Sequence, residues 1–240
     1  MTDVRPARGE IERWTAPLVH PAAHLVTGVA GLAVVLAWGL FGARSDAVTG
    51  AERQLLVRLN GAWTPGLDAA ARWTNAVFST PGAAVLIVLV VAAVALATRR
   101  MGDALFTGFA IGVVYSVVWV LKIIVGRPRP PALPHPVAGV VLDTSPSYPS
   151  GHTAIASALV VVVFIVVRRT DARWVVGVVG GLAMVWTAYS RLYVGAHYPD
   201  DVAASIVYAI TAGPLIYQAL FRIDARLGAV AAVNRRALTA

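Results

Sequence analysis

Cysteine is absent from the 240-residue sequence. No disulfide framework, thiolate nucleophile or cysteine-ligated zinc or iron–sulfur site can therefore be built, and cysteine-based phosphatases and redox enzymes are excluded. Charge is scarce as well: 13% of residues are charged, against roughly a quarter in soluble domains. Lysine is nearly missing; Lys122 is the only one, and every other basic position is arginine. What fills the chain is apolar, with 58% hydrophobic residues and a mean hydropathy of +0.72. These numbers disfavour a two-domain cytosolic globule and favour a membrane protein, provided the apolar residues run in long blocks.

They do. A spanning helix needs about 20 mostly apolar residues to cross about 30 Å of hydrocarbon. Six segments with at most one charge approach or meet that requirement: Ala22–Ala43, Pro81–Thr98, Ala104–Val125, Gly151–Val167, Trp174–Tyr189 and Val202–Phe221. The fifth is short and Pro214 predicts a kink in the sixth, both tolerable inside a bundle. The sequence thus predicts an all-α fold, a six-transmembrane helical bundle. Residues 1–21 form a polar leader, 22–221 the six-span domain and 222–240 a basic tail. Arg5, Arg8 and Arg13 ahead of the first segment raise the possibility of a cleaved signal peptide. The apolar run is too long for a signal core and no small-residue cleavage site follows, so it reads as a retained anchor.

Six spans put both termini on one side with the loops Arg99–Asp103 and Arg168–Arg173. That side collects Arg5, Arg8, Arg13, Arg99, Arg100, Arg168, Arg169, Arg173, Arg222, Arg226, Arg235 and Arg236. The other side holds Arg44, Arg53, Arg58 and Arg72, offset by Asp46, Glu52 and Asp68. The basic excess over the 12 Asp+Glu, +8 net, is first a topology signal, and it places both termini in the cytoplasm of a cell bounded by this plasma (inner) membrane.

Between spans one and two, Leu55, Leu56, Leu59 and Trp63 recur at helical spacing among Glu52, Arg53 and Arg58. This predicts an outer-face amphipathic helix, either lying in the interface or packed as an ordinary loop helix. Five prolines between Pro128 and Pro136 make the stretch after span three irregular. Gly108/Gly112 and Gly177/Gly181 predict close helix packing. His20 and His24 read as interfacial residues. The sequence shows no internal repeat and no low-complexity segment.

The informative residues are polar groups at the ends of spans. Lys122 sits near the end of span three, followed by Gly126-Arg127-Pro128-Arg129-Pro130. Span four opens with Pro149-Ser150-Gly151-His152; span five closes with Ser190-Arg191; span six is entered through His197-Tyr198-Pro199-Asp200-Asp201. All four span ends lie on one membrane face, so topology alone gathers these clusters. Ionisable groups at such depth are costly and mark functional sites. Singly, each has a plain reading: Lys122 snorkels, Ser150 caps a helix, His152 is an interfacial polar residue, and His197 and Asp201 form an i,i+4 pair. Jointly they do not.

Their shared chemistry is anion handling. Lys122, Arg129 and Arg191 supply positive charge, and arginine forks suit phosphate oxygens. The helix starting at Ser150 offers unpaired N–H groups, with Gly151 allowing close approach. A metal site from His152, His197, Asp200 and Asp201 is the alternative, but three nearby cations repel a divalent ion, so neither metal nor cofactor is expected. Given a phosphate, Asp201 accepts the Nδ1–H of His197 and leaves Nε2 with the free lone pair, ready to attack phosphorus. His152 is placed to protonate the leaving oxygen and later to activate water.

These residues resemble the signature of the type 2 phosphatidic acid phosphatase family, the lipid phosphate phosphatases, in its integral membrane branch. Its three motifs are matched by Lys122 to Arg129-Pro130, by Pro149-Ser150-Gly151-His152, and by Ser190-Arg191 through His197 to Asp201. The resemblance implies a six-span bundle, an extracytoplasmic active site and metal-independent catalysis through a phosphohistidine on His197. It implies His152 as acid/base, Asp201 as the orienting carboxylate, and Lys122, Arg129, Ser150, Gly151 and Arg191 as phosphate-binding residues. The expected substrate is a lipid phosphate or pyrophosphate in the outer leaflet. A polyprenyl pyrophosphate carrier such as undecaprenyl pyrophosphate is preferred slightly over phosphatidic acid or phosphatidylglycerol phosphate. Membrane lipids are the expected surroundings and no nucleic acid is expected as a partner. The rival from another class is a non-catalytic membrane protein that binds or moves anionic lipids with the same basic pocket; a channel or transporter is weaker, because segments one, two, four, five and six carry no mid-span charge. His135 and Asp143, in the outer loop, read equally as headgroup contacts or solvated residues.

Overall fold

The structure, a computed structural model, describes residues 15–142 and 144–238. Arg5, Arg8, Arg13 and Asp143, and the side chains of Arg235 and Arg236, lie outside what is described. Among the described residues there are eight helices and no strand: α1 (Pro21–Gly42), α2 (Asp46–Gly61), α3 (Pro65–Val77), α4 (Thr80–Thr98), α5 (Met101–Val125), α6 (Gly151–Val167), α7 (Ala172–Tyr193) and α8 (Pro199–Leu238). Five of them, α1, α4, α5, α7 and α8 as far as Leu227, are long and apolar enough to cross a membrane. α6 is equally apolar but has 17 residues, just under spanning length. The six-span expectation therefore becomes five full spans and one short apolar helix. α6 can be short because α5, α7 and α8 surround it, so its ends meet protein rather than lipid.

The core lies where α5, α6 and α8 meet, built from Ile111, Val114 and Val118, from Ile155, Ala158 and Val162, and from Ala204, Tyr208 and Ala212. α1 packs on α8, α4 on α5 and α7 on α6. Outward-facing positions such as Val29, Val88, Phe109, Val178 and Leu182 are exposed and apolar, as a surface in contact with hydrocarbon requires. α8 continues through Pro214 and well beyond the expected end at Phe221.

Small residues mediate the closest helix contact, at positions other than those expected. The buried face of α1 is Gly28, Gly31, Val35, Gly39 and Gly42, repeating at helical spacing. A Cβ on Gly31 would stand 2.0 Å from the Thr211 hydroxyl, and one on Gly39 2.3 Å from the Tyr148 ring. Among the expected pairs, Gly108 does abut Val91, whereas Gly112 and Gly181 have open space where a Cβ would go. The closest approach of α7 to α6 comes instead at Gly180, against Val160.

The interval between the first two spans holds two helices rather than one. α2 is capped by Ser45, whose hydroxyl accepts from the Val48 N–H, and α3 by Thr64 followed by Pro65. The inward face of α2 is Glu52, Leu56 and Asn60, so of the expected stripe Leu55, Leu56, Leu59 and Trp63 only Leu56 is fully buried and Leu59 partly so. Leu55 and Trp63 are exposed. Both faces of this helix are mixed: Glu52 and Asn60 are buried beside Leu56, while Arg53, Gln54 and Arg58 stand outside with Leu55 and Val57. α2 contacts α7, and α3 contacts α4 and α7, so the pair covers the end of the bundle at which α5 and α7 finish and α6 and α8 begin.

Candidate active site

Four helix termini and one loop build the site. α5 stops at Gly126, whose φ of 62° ends the helix while its N–H still reaches the Lys122 carbonyl. Lys122 in that last turn is only 4% exposed and does not snorkel; its Nζ donates to the Pro146 carbonyl at 2.5 Å. Arg129, one turn of loop later, donates from Nε to the Ser145 carbonyl at 2.9 Å and from Nη1 to the Ala196 carbonyl at 3.0 Å. Segment 145–147 thereby fixes both cations.

Ser150 caps α6: its Oγ accepts from the Thr153 N–H at 3.4 Å and from the Thr153 hydroxyl at 3.1 Å. The start of α6 is tied to the start of α8. Ser150 N–H donates to the Asp201 carbonyl at 3.0 Å, and the Ser205 hydroxyl lies 2.9 Å from both the Ser150 and the Asp201 carbonyl. A positive φ of 70° at Gly195 turns the chain between α7 and α8. A Cβ there would also stand 2.6 Å from Leu133, so glycine is required on two counts.

His197 follows that turn, 2% exposed. Its Nδ1 faces Asp201 Oδ2 at 3.3 Å, and Arg129 Nη1 approaches its Nε2 at 3.4 Å. Asp201 Oδ2 also accepts the Tyr198 N–H at 2.9 Å. This arrangement suits Nδ1 protonated and Nε2 carrying the lone pair. Burial pulls the ring's pKa down to about 4, with Arg129 and Lys122 adding to the shift and Asp201 opposing it. The imidazole is therefore neutral near pH 7.

Arg191, at the end of α7, is 1% exposed. Its Nη1 donates to Asn75 Oδ1 at 2.7 Å and its Nη2 to Ser190 Oγ at 3.1 Å. Its Nε is buried without a hydrogen-bond partner among the described residues. His152 Nε2 lies 3.3 Å from the Asn75 carbonyl oxygen, so the N–H points there and Nδ1 is left for other work. Lys122, Arg129, Gly151, His152, Arg191 and His197 line one cavity of about 90 Å³, together with Asn75, Tyr115 and an apolar wall of Phe78, Val118, Trp119, Val141 and Leu142. At about 30 Å³ per water, that is room for one phosphoryl group.

Two of the expected site residues stand behind this lining. Ser150 is fully buried as the cap of α6, and Asp201 is fully buried behind His197. Four further residues were missed in the sequence: Asn75, Glu52, Arg127 and Tyr148. Asn75 has no motif. Arg127 stands two positions before Arg129, where a run of alternating arginine and proline made it look like part of the loop. It is 2% exposed, pairing through Nη1 with Asp201 Oδ1 at 3.1 Å and through Nη2 with Glu52. Burial pushes the Glu52 carboxyl up, against the opposing pull of the Asp200 N–H and Arg127. Tyr148 donates its hydroxyl to the Val35 carbonyl, joining the loop to α1. His135 is partly exposed but held in place: it stacks on Trp63 at 4.3 Å and meets Asp68 Oδ2 at 2.9 Å. Among the described residues, no group of three or more His, Asp or Glu side chains gathers at metal-ligand spacing.

Such a bundle defines a class, the multi-pass helical membrane proteins that carry a basic, histidine-bearing pocket at one end. The chain belongs to the PAP2 superfamily, whose family model matches residues 103–224. It is 34% identical over 110 residues to an undecaprenyl-diphosphatase of Sulfolobus acidocaldarius, covering 45% of this chain and 49% of that protein. It is 31% identical over 133 residues to the decaprenylphosphoryl-5-phosphoribose phosphatase of Mycobacterium tuberculosis, covering 55% and 68%. The chain thus spans about half the length of the first of these relatives and about two thirds of the second. In structure it is similar to a transmembrane PAP2-type phosphatidylglycerolphosphate phosphatase of Bacillus subtilis, with a TM-score of 0.66 and 21% identity, covering 83% of this chain and 96% of that one.

Proposed function

We propose that this protein is a metal-independent phosphatase that hydrolyses a lipid phosphate or diphosphate through a phosphohistidine. One observation carries the reading: two histidines and three cations line a single phosphoryl-sized cavity, and one of those histidines is steered by a buried carboxylate. A pocket for binding alone has no need of that steering.

In the reaction, Lys122, Arg129, Arg191 and the N–H groups at the start of α6, opened by Gly151 and shaped by the Ser150 cap, hold the phosphoryl oxygens. Charge growing on those oxygens in the transition state strengthens these contacts. His197 Nε2 attacks phosphorus while Asp201 holds its Nδ1–H. Binding of the phosphate anion brings a second proton onto His152, at Nδ1, while its Nε2–H stays on the Asn75 carbonyl; the bond to the lipid oxygen then breaks, and that oxygen takes this Nδ1 proton. His152, now neutral, next takes a proton from water as the water oxygen attacks the phosphohistidine. The P–N bond breaks and inorganic phosphate leaves.

The lipid tail exits along Phe78, Val118, Trp119, Val141 and Leu142. A polyprenyl chain is the tail we favour slightly, a choice supported by the polyprenyl names of two relatives. The site faces the outer leaflet of the plasma membrane, with both termini in the cytoplasm, a placement supported by the arginine distribution. Purified protein in detergent is expected to release phosphate from undecaprenyl diphosphate in the presence of EDTA, to be inhibited by vanadate, and to lose activity by at least about a thousandfold in His197→Ala. Full activity of that variant, or loss on chelation, sinks the mechanism.

A further inference from the structure

Asp201 divides its two oxygens. Oδ2 serves His197 and the Tyr198 N–H; Oδ1 takes Arg127 Nη1 at 3.1 Å. Arg127 is itself divided: its Nη2 is held by Glu52 Oε2, and its guanidinium lies 4.2 Å from the centre of the Tyr198 ring. Glu52 in turn anchors with its other oxygen, Oε1 accepting the Asp200 N–H at 2.8 Å. Charges therefore alternate along a buried line from Glu52 to Arg127 to Asp201, ending on the imidazole.

We propose that Glu52 is a positioning residue for hydrolysis: by holding one arm of Arg127, it leaves Asp201 Oδ2 to His197. A guanidinium fork prefers both oxygens of one carboxylate. Without Glu52, the fork of Arg127 closes on Asp201 and draws Oδ2 away from the ring. α2 lies outside the family-matched residues 103–224, so this control reaches the reacting histidine from a segment that the family match does not contain. The inference rests on the phosphatase reading above.

The test compares the parent with Glu52→Gln, which keeps the shape and removes the charge, in detergent with undecaprenyl diphosphate as substrate and vanadate as the binding probe. Expected is a fall in kcat of about tenfold or more, with KM and vanadate affinity within about twofold of the parent. The acid limb of kcat/KM should also move to lower pH. His197 is faced by Asp201, Arg129, Lys122 and His152, so weakening its one anionic neighbour makes the ring harder to protonate. A buried arginine stripped of its partner destabilises folds, so the double variant Glu52→Gln with Arg127→Met, which removes the fork together with its partner, is measured alongside. With no fork left to close on Asp201, its kcat should recover at least severalfold from that of Glu52→Gln toward the parent. Parent-like kcat and pH profile in folded Glu52→Gln overturns the proposal, as does a folded double variant no faster than Glu52→Gln, or a loss confined to vanadate binding. A parent that releases no phosphate overturns the phosphatase reading itself, whereas an active parent with an indifferent Glu52 overturns only this inference.

Discussion

His197 is neutral at pH 7 because its surroundings make a charged ring expensive, and that cost has a measurable sign. The folded value lies near 4, below the ~6.5 of a free imidazole. As pH falls from about 6.5 to about 4, the unfolded chain takes up this proton first, so stability contributed by the neutral ring is lost across that window. The thermal midpoint in detergent should therefore fall more steeply for the parent than for His197→Gln over that range; parallel curves contradict the assignment. At Arg191 geometry matters more than charge, since two of its nitrogens are committed to Asn75 and Ser190. Arg191→Lys keeps the charge and loses the fork, and should weaken vanadate binding by about tenfold. The cavity-lining residues were legible in the sequence because charge at a span end is rare enough to stand out. Asn75 was not legible, since a lone amide in a short helix carries no such contrast, and its role arises only from where Arg191 happens to reach.

At the scale of the element, the first helix shows what periodicity can and cannot announce. α1 read as one more apolar span, and its glycines passed as background. Its buried stripe is nonetheless what brings α8 close, and α8 carries Asp201. Gly31→Leu and Gly39→Val should each lower stability by roughly 1–3 kcal/mol through overpacking. Gly112→Ala, with open space around it, should be neutral or raise stability by up to about 1 kcal/mol. Thermal denaturation of the three variants separates the two cases, and equal effects would refute the packing account. Apart from the far end of α8, which runs on to Leu238, the apolar helices were legible to within a few residues because hydrocarbon thickness fixes the length of a span. α2 was legible as a helix but not in its facing. Burial there follows the polar partners Asp200, Arg127 and Tyr193 as well as Leu56, and a search for an apolar stripe finds Leu56 but not Glu52 or Asn60.

For the whole molecule, the absence of cysteine becomes an experimental convenience. Single cysteines at Val141, 88% exposed beside the cavity, and at Met101, 59% exposed at the opposite end of α5, report topology without background. In intact cells a membrane-impermeant thiol reagent should label Val141→Cys and spare Met101→Cys; the reverse pattern inverts the proposed orientation. The gathering of the four clusters was the part of the site most readable from sequence, because successive spans alternate in direction and so carry the ends of two and the starts of two others to one end of the bundle. The hydrogen-bonded seam joining Ser150 to Asp201 through Ser205 was beyond reach, since it depends on side-chain register between two helices some 50 residues apart.

That seam has an evolutionary corollary. It welds the phosphate cradle of α6 to the histidine anchor of α8, while Val141 and Leu142 belong to a separate strand of coil whose sequence the weld does not constrain. On the proposed function, substitutions at Val141 and Leu142 should therefore change lipid preference while the reacting atoms keep their places.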